Sequence, residues 1–182
     1  VRTTSRLTTT LRSSPARGTI GRELEVQLGD DAGAPLTVVC PVGGGGLAAG
    51  LGLWASGRAD VRVVGVEAAH NPAVAAAVDA GQVVDVELSP TLADGLAGGL
   101  EPGSVTVPVV AETVAGLVTV TEEEIRAAMR HLALERGVVA EGAGAVGVAA
   151  VLAGKVPAPG PVVAVVTGRN VTASLLTEVL AG

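Results

Sequence analysis

The sequence contains no phenylalanine and no tyrosine, and Trp54 is its sole aromatic residue. Stacked bases, sugar platforms and aromatic cages are therefore poorly provided for. A single cysteine, Cys40, leaves no internal disulfide to form, which suits a reducing compartment and sets the expectation of a cytoplasmic protein. Gly, Pro or a charge interrupts every apolar run before it reaches the ~18 residues a bilayer span requires, so no membrane partner is expected. Positive charge is scarce as well, with 12 Lys and Arg against 18 Asp and Glu for a net charge of −6. Such a surface repels phosphate backbones, and no nucleic-acid partner is expected. His70 and His131 lack the paired spacing of metal ligands. Lysine occurs once, as Lys155.

What the 182 residues do hold is apolar substance: 48% are hydrophobic, enough to bury the core of one domain. Charge divides the chain. Five arginines and no acid lie between Val1 and Arg22, and every acidic group follows. Residues 1–17 are rich in Thr, Ser and Arg without an apolar period, and read as a disordered arm. Residues 18–182 read as the folded part.

From Gly18 the pattern alternates between helix and strand. A short helix over Gly18 to Leu28 precedes a buried strand from Leu36 to Cys40. A helix from Leu47 to Ser56 and a strand from Val61 to Glu67 follow. Asn71 and Pro72 suit the N-cap and first turn of a helix that ends at Gly81. Val114 to Val120 reads as extended. Thr121 and Glu124 form a capping box for a helix running to Arg136, with Gly137 as its stop. Further elements are a helix from Gly144 to Leu152, a strand from Pro161 to Thr167 and a last helix to Leu180. The pattern predicts an α/β fold, an open and mostly parallel sheet with helices on both faces.

Ligands of such sheets bind where strands end and loops lead into helices. At one junction the strand Val38-Val39-Cys40 runs through Pro41 and Val42 into Gly43, Gly44, Gly45 and Gly46, then into a helix at Leu47. Each glycine weakens regular structure, so four in succession at a helix start imply backbone wrapped closely around something, and consecutive N–H groups suit a phosphate. A plain tight turn is the competing reading. At a second junction a hydrophobic strand delivers the hydroxyl of Thr167, which either meets a ligand or bonds local backbone. A dinucleotide fingerprint is also open: Gly43, Gly45 and Ala48 follow a strand, with Glu67 at the end of the next. Cys40 reads as a small buried apolar residue.

Landmarks from Gly18 to the C-terminus resemble the fold-type II pyridoxal-phosphate enzymes, and within them the serine/threonine dehydratases. They are Gly18-Thr19-Ile20, Pro41-Val42 with Gly43 to Leu47, Val64-Gly65-Val66-Glu67, Leu92-Ala93-Asp94-Gly95-Leu96, Val120-Thr121 with Glu122 to Ile125, Glu141-Gly142-Ala143-Gly144-Ala145 and Val166-Thr167-Gly168-Arg169-Asn170. The resemblance implies that Gly43, Gly44, Gly45, Gly46 and the Leu47 N–H hold the phosphate of pyridoxal 5'-phosphate. It implies that Thr167 faces the pyridine nitrogen, that Gly95 lines the cofactor cleft and that Glu141 sits in a loop approaching the cofactor. The activity implied is β-elimination of water and ammonia from a small hydroxy amino acid: threonine, serine or hydroxyaspartate.

The same resemblance implies a cofactor-anchoring lysine well before the glycine loop. Lys155 lies far beyond it and reads as a solvent-exposed surface charge, so no catalytic residue is assigned. The chain is then expected to be the C-terminal part of a large domain, inactive alone, with an unpaired sheet edge that invites a homo-oligomer or a complementary N-terminal fragment. Glu67 lies where some relatives begin a divalent-metal site. A later acidic ligand is replaced near Ala73, so no metal is expected. Read one base out of phase, codons for residues 8–17 can spell a segment similar to the one that relatives carry before Gly-Thr-Ile, which makes the arm a candidate out-of-frame product. Non-catalytic alternatives are a binding or oligomerisation remnant.

Overall fold

The computed structural model describes residues 19–29 and 35–182. The arm of residues 1–17, with its expected disorder and reading-frame origin, lies outside them, as does Gly18. The described chain forms α1 (Thr19–Leu28), β1 (Leu36–Pro41), α2 (Gly46–Ala55), β2 (Val61–Ala68) and α3 (Ala73–Ala80). After a 3-10 turn at Asp94–Leu96 come α4 (Thr106–Thr113), β3 (Gly116–Val120), α5 (Glu122–Arg136), α6 (Gly142–Leu152), β4 (Val162–Ala164) and α7 (Ala173–Ala181).

The four strands lie in the order β3-β2-β1-β4 and all pairs are parallel. Central β1 is buried along its whole length, as its unbroken run of apolar and β-branched residues requires. Its side chains alternate between two cores. Val38 and Cys40 pack with Leu24 of α1, Leu51 of α2, Val74 of α3 and Val110 of α4. Val39 points the other way, to Ile125 and Met129 of α5, Val146 of α6 and Val179 of α7. Helices therefore cover both faces of an α/β sheet. The end strands are β3 and β4, and Val162 and Val166 at the β4 edge are 37% and 39% exposed.

The capping box at Thr121 and Glu124 is formed as the spacing implies, and Gly137 ends α5 in the left-handed region. Four local expectations change. Asn71 does not cap α3; its side-chain amide donates to the Ser89 carbonyl, and the Val74 and Ala75 N–H groups of the first turn donate to the Glu67 carboxylate instead. Helix α6 starts at Gly142 rather than Gly144. Regular pairing of β4 covers only Val162–Ala164, although Val165 N–H still donates to the Val39 carbonyl at 2.9 Å. Helix α4 was not expected. Its Pro108 sits in the first turn, where a missing N–H costs nothing.

Candidate functional site

At the C-terminal end of β1 the chain leaves the sheet through Val42, whose N–H still donates to Val66 O at 2.8 Å, and enters the four glycines. Gly45 precedes α2 with φ +78°, a conformation open to glycine at little cost, and a Cβ there would come within 3.0 Å of Thr106 Oγ1. No side chain among the described residues caps α2. The N–H groups of Gly43, Gly44, Gly45, Gly46 and Leu47 meet no acceptor among the described residues. They open on a cleft of about 380 Å³ lined by Pro41, Gly43, Gly44, Gly45, Gly46, Leu47, Gly95, Leu96 and Thr167. Unsatisfied donors at the positive end of a helix dipole make this a place for an anion.

The loop is held from beneath. Thr106 Oγ1 donates to Gly44 O at 2.7 Å and lies 2.9 Å from Ser104 Oγ. Sequence reasoning missed Thr106, because nothing local marks a threonine whose partner lies 62 positions away. Across the cleft the 3-10 turn brings Leu96 Cα to 3.4 Å from where a Cβ on Gly43 would stand.

Helix α6 packs behind the turns that carry Gly95 and Thr167, and its glycines explain how close it comes. A Cβ on Gly142 would overlap the Leu92 carbonyl, and one on Gly144 would overlap the Thr167 carbonyl. Gly95 stands over Ala143, with 3.1 Å available to an added Cβ. Glu141 occupies the N-cap position of α6 and does not itself line the cleft. Its carboxylate accepts the Asn170 N–H at 2.8 Å and its own N–H donates to Gly168 O, so it holds the turn that follows Thr167. Gly168 adopts φ +62°, and a side chain there would collide with Glu141. The Thr167 hydroxyl has no partner among the described residues.

Lys155 is not the free surface charge the sequence suggested. It is half-buried, donating to Glu124 Oε2 at 2.7 Å and to Thr119 O at 3.1 Å, and it does not line the cleft. Glu67 is 1% exposed. Burial pushes its carboxyl up from 4.5 to about 7 against the opposing effect of the Val74 and Ala75 N–H donors. With both oxygens committed to α3, Glu67 is not offered to a ribose, which removes the structural support for a dinucleotide site. Cys40 is fully buried, and burial raises its thiol to about 12, far from the range of a nucleophile. A larger groove of about 610 Å³ between the end of α3 and α4 is walled by Val78, Val83, Val107, Pro108 and Ala111, with Glu112 its one charge, and is a poor match for an anion.

Residues 13–168 match the family described as pyridoxal-phosphate dependent enzyme. Over 166 residues the chain is 42% identical to an L-threonine ammonia-lyase of Thermotoga maritima, covering 90% of this chain and 40% of that protein. Over 167 residues it is 35% identical to L-threonine dehydratase catabolic TdcB of Escherichia coli K12, covering 90% and 49% respectively. Among solved structures it is similar to the threonine deaminase of T.th., with a TM-score of 0.77 at 35% identity over 86% of this chain and 57% of that one. Maize serine racemase gives a TM-score of 0.76 at 28% identity, over 91% of this chain and 50% of that one. The chain thus spans about half the length of the curated relatives it matches.

Proposed function

This chain belongs to the pyridoxal-phosphate dependent enzyme family, and from that premise we propose that its cleft holds pyridoxal 5'-phosphate for a lyase acting on a small hydroxy amino acid such as threonine or serine. The threonine ammonia-lyase and threonine deaminase relatives support the reaction class. The observation that carries the cofactor assignment is the run of five N–H donors, Gly43 to Leu47, without a protein acceptor among the described residues. Those donors, the left-handed Gly45 and the Thr167 hydroxyl, which has no partner among the described residues, fit a phosphorylated heterocycle in shape and polarity.

In this reading Gly43, Gly44, Gly45, Gly46 and Leu47 grip the phosphate, with the positive end of α2 behind them. Gly95 forms the opposite wall, and Glu141 fixes the turn that presents Thr167. When bound, pyridoxal phosphate supplies an electron sink for bonds at the α-carbon of an amino acid. The Thr167 hydroxyl is the partner of the ring nitrogen. Being neutral, it would not hold that nitrogen protonated as a carboxylate would.

The sequence has no lysine besides Lys155, whose amine is engaged with Glu124 outside the cleft. The cofactor assignment therefore rests on the phosphate cup and not on an anchoring amine of the cleft. These 182 residues bind the cofactor through its phosphate, without a covalent bond to a lysine of the cleft. Titration calorimetry tests the reading: pyridoxal 5'-phosphate is expected to bind the folded chain, and pyridoxal without the phosphate to bind at least about tenfold more weakly, since several charge-assisted hydrogen bonds are lost. Equal affinity for the two compounds would refute the phosphate cup.

A further inference from the structure

Between α3 and α4 the chain has little regular structure, yet the short stretch that forms the cleft wall is gripped from several sides. His70 Nδ1 donates to Pro90 O at 2.6 Å, and Asn71 Nδ2 donates to Ser89 O at 3.1 Å. The two oxygens of Glu122 then divide the next turn: Oε1 accepts the Thr91 hydroxyl at 2.6 Å and Oε2 accepts the Leu92 N–H at 2.7 Å. Thr91 Oγ1 in turn accepts the Ala93 N–H at 3.1 Å. Directly beyond this turn stand Gly95 and Leu96, which face the glycine loop.

Glu122 is the first residue of α5, and the capping of that helix does not need its side chain, because Thr121 and Glu124 perform it. Its carboxylate is free to reach back over 30 positions to Leu92. The three consecutive glutamates have separate roles: Glu122 reaches the wall, Glu123 is exposed, and Glu124 caps α5 and pairs with Lys155. A bidentate carboxylate fixes both the position and the tilt of the turn it holds, which a single hydrogen bond does not.

We propose that Glu122 is a positioning residue of the cleft, a clasp that sets the Thr91–Ala93 turn and through it the distance between the Gly95–Leu96 wall and the glycine loop. This rests on the cleft being the pyridoxal-phosphate site. Glu122 touches no cofactor; it acts through backbone. Its removal loosens the wall while leaving the cup at Gly43 to Leu47 intact.

The test uses the full chain with two probes, pyridoxal 5'-phosphate, which reaches the wall, and inorganic phosphate, which needs only the cup. Glu122→Ala is expected to weaken pyridoxal 5'-phosphate about tenfold while changing phosphate affinity less than about twofold. Amide hydrogen exchange at Leu92 is expected to accelerate in the ligand-free variant. Glu122→Gln restores most of the affinity, since its carbonyl can accept from Leu92 and its amide can donate to Thr91. Thr91→Ser behaves as the parent and Thr91→Val as a partial loss, and Thr91→Val adds little on top of Glu122→Ala. Unchanged affinity and unchanged Leu92 exchange in Glu122→Ala would overturn the clasp. So would an equal loss for both probes, which marks a merely structural residue. A parent chain that binds neither probe would instead refute the cofactor reading, and the clasp would fall with it.

Discussion

Glu67 is the buried carboxyl whose behaviour is least intuitive, and it yields a sign as well as a size. Its oxygens accept two first-turn N–H groups of α3, at 2.8 Å and 2.9 Å, which favours the anion, but burial outweighs them and lifts the carboxyl from 4.5 to about 7. A group whose folded-state value lies above its unfolded one binds its proton more tightly in the native protein. Stability from Glu67 is therefore greatest in acid, declines as pH rises from 4.5 to about 7, and is flat above. At roughly 1.4 kcal/mol per pH unit, the decline comes to about 3 kcal/mol. Glu67→Gln cannot ionise; its Oε1 keeps one acceptor for the α3 N–H groups, but its Nε2 is a donor and faces the other N–H, so the variant carries a pH-independent loss. Denaturant unfolding of both proteins across this range isolates the effect, since all other titrating groups are shared. The variant is expected to be less stable than the parent at the acid end by about 1–3 kcal/mol, and to gain on it by about 3 kcal/mol as pH rises from 4.5 through about 7. A difference that moves in the parent's favour as pH rises would show that the helix N–H groups dominate, and one independent of pH would show that Glu67 titrates normally.

Gly45→Ala forces a left-handed alanine against Thr106; a loss of about 1–2 kcal/mol in chemical unfolding is expected, with phosphate binding falling at least about tenfold in calorimetry. Thr167→Val deletes a hydroxyl without a partner among the described residues, so the melting temperature should hold while pyridoxal 5'-phosphate affinity drops about threefold to tenfold and the absorbance of the bound cofactor shifts. Although partial burial works against it, the Lys155 and Thr121 bonds hold the Glu124 carboxyl below its ordinary value. Lys155→Met should therefore cost about 0.5–1 kcal/mol at neutral pH, a cost that fades as pH falls through the Glu124 titration, with cofactor affinity unchanged.

What could be read in advance was whatever is written locally. Alternating and continuous apolar runs marked β1 and β2, the Thr121–Glu124 spacing marked the start of α5, and Gly81 and Gly137 marked two helix ends through their left-handed conformation. The glycine run at Gly43 pointed to the cleft because its cost to regular structure demanded a compensating role. Hidden were the contacts between residues distant in sequence. Asn71 looked like the cap of α3, but the cap arrives from Glu67 on the preceding strand, and Asn71 serves Ser89. Helix α4 was obscured by its valines, threonines and Pro108, all weak helix formers, and it is held in place by packing on α2 and α3. Thr106 and Glu122 act on backbone 62 and 30 positions away, beyond any periodicity that a single sequence displays. Lys155 was misjudged for the same reason, since Thr119 and Glu124 come to it only through the fold.

The account stands on the main-chain donors between β1 and α2. Backbone amide chemical shifts followed while the folded chain is titrated with pyridoxal 5'-phosphate report on each donor separately. Saturable shifts at Gly43, Gly44, Gly45, Gly46 and Leu47, with smaller ones at Gly95 and around Thr167, are the predicted result. Saturable binding that leaves those five amides unmoved, or no binding by a chain whose spectrum shows it folded, would contradict the assignment.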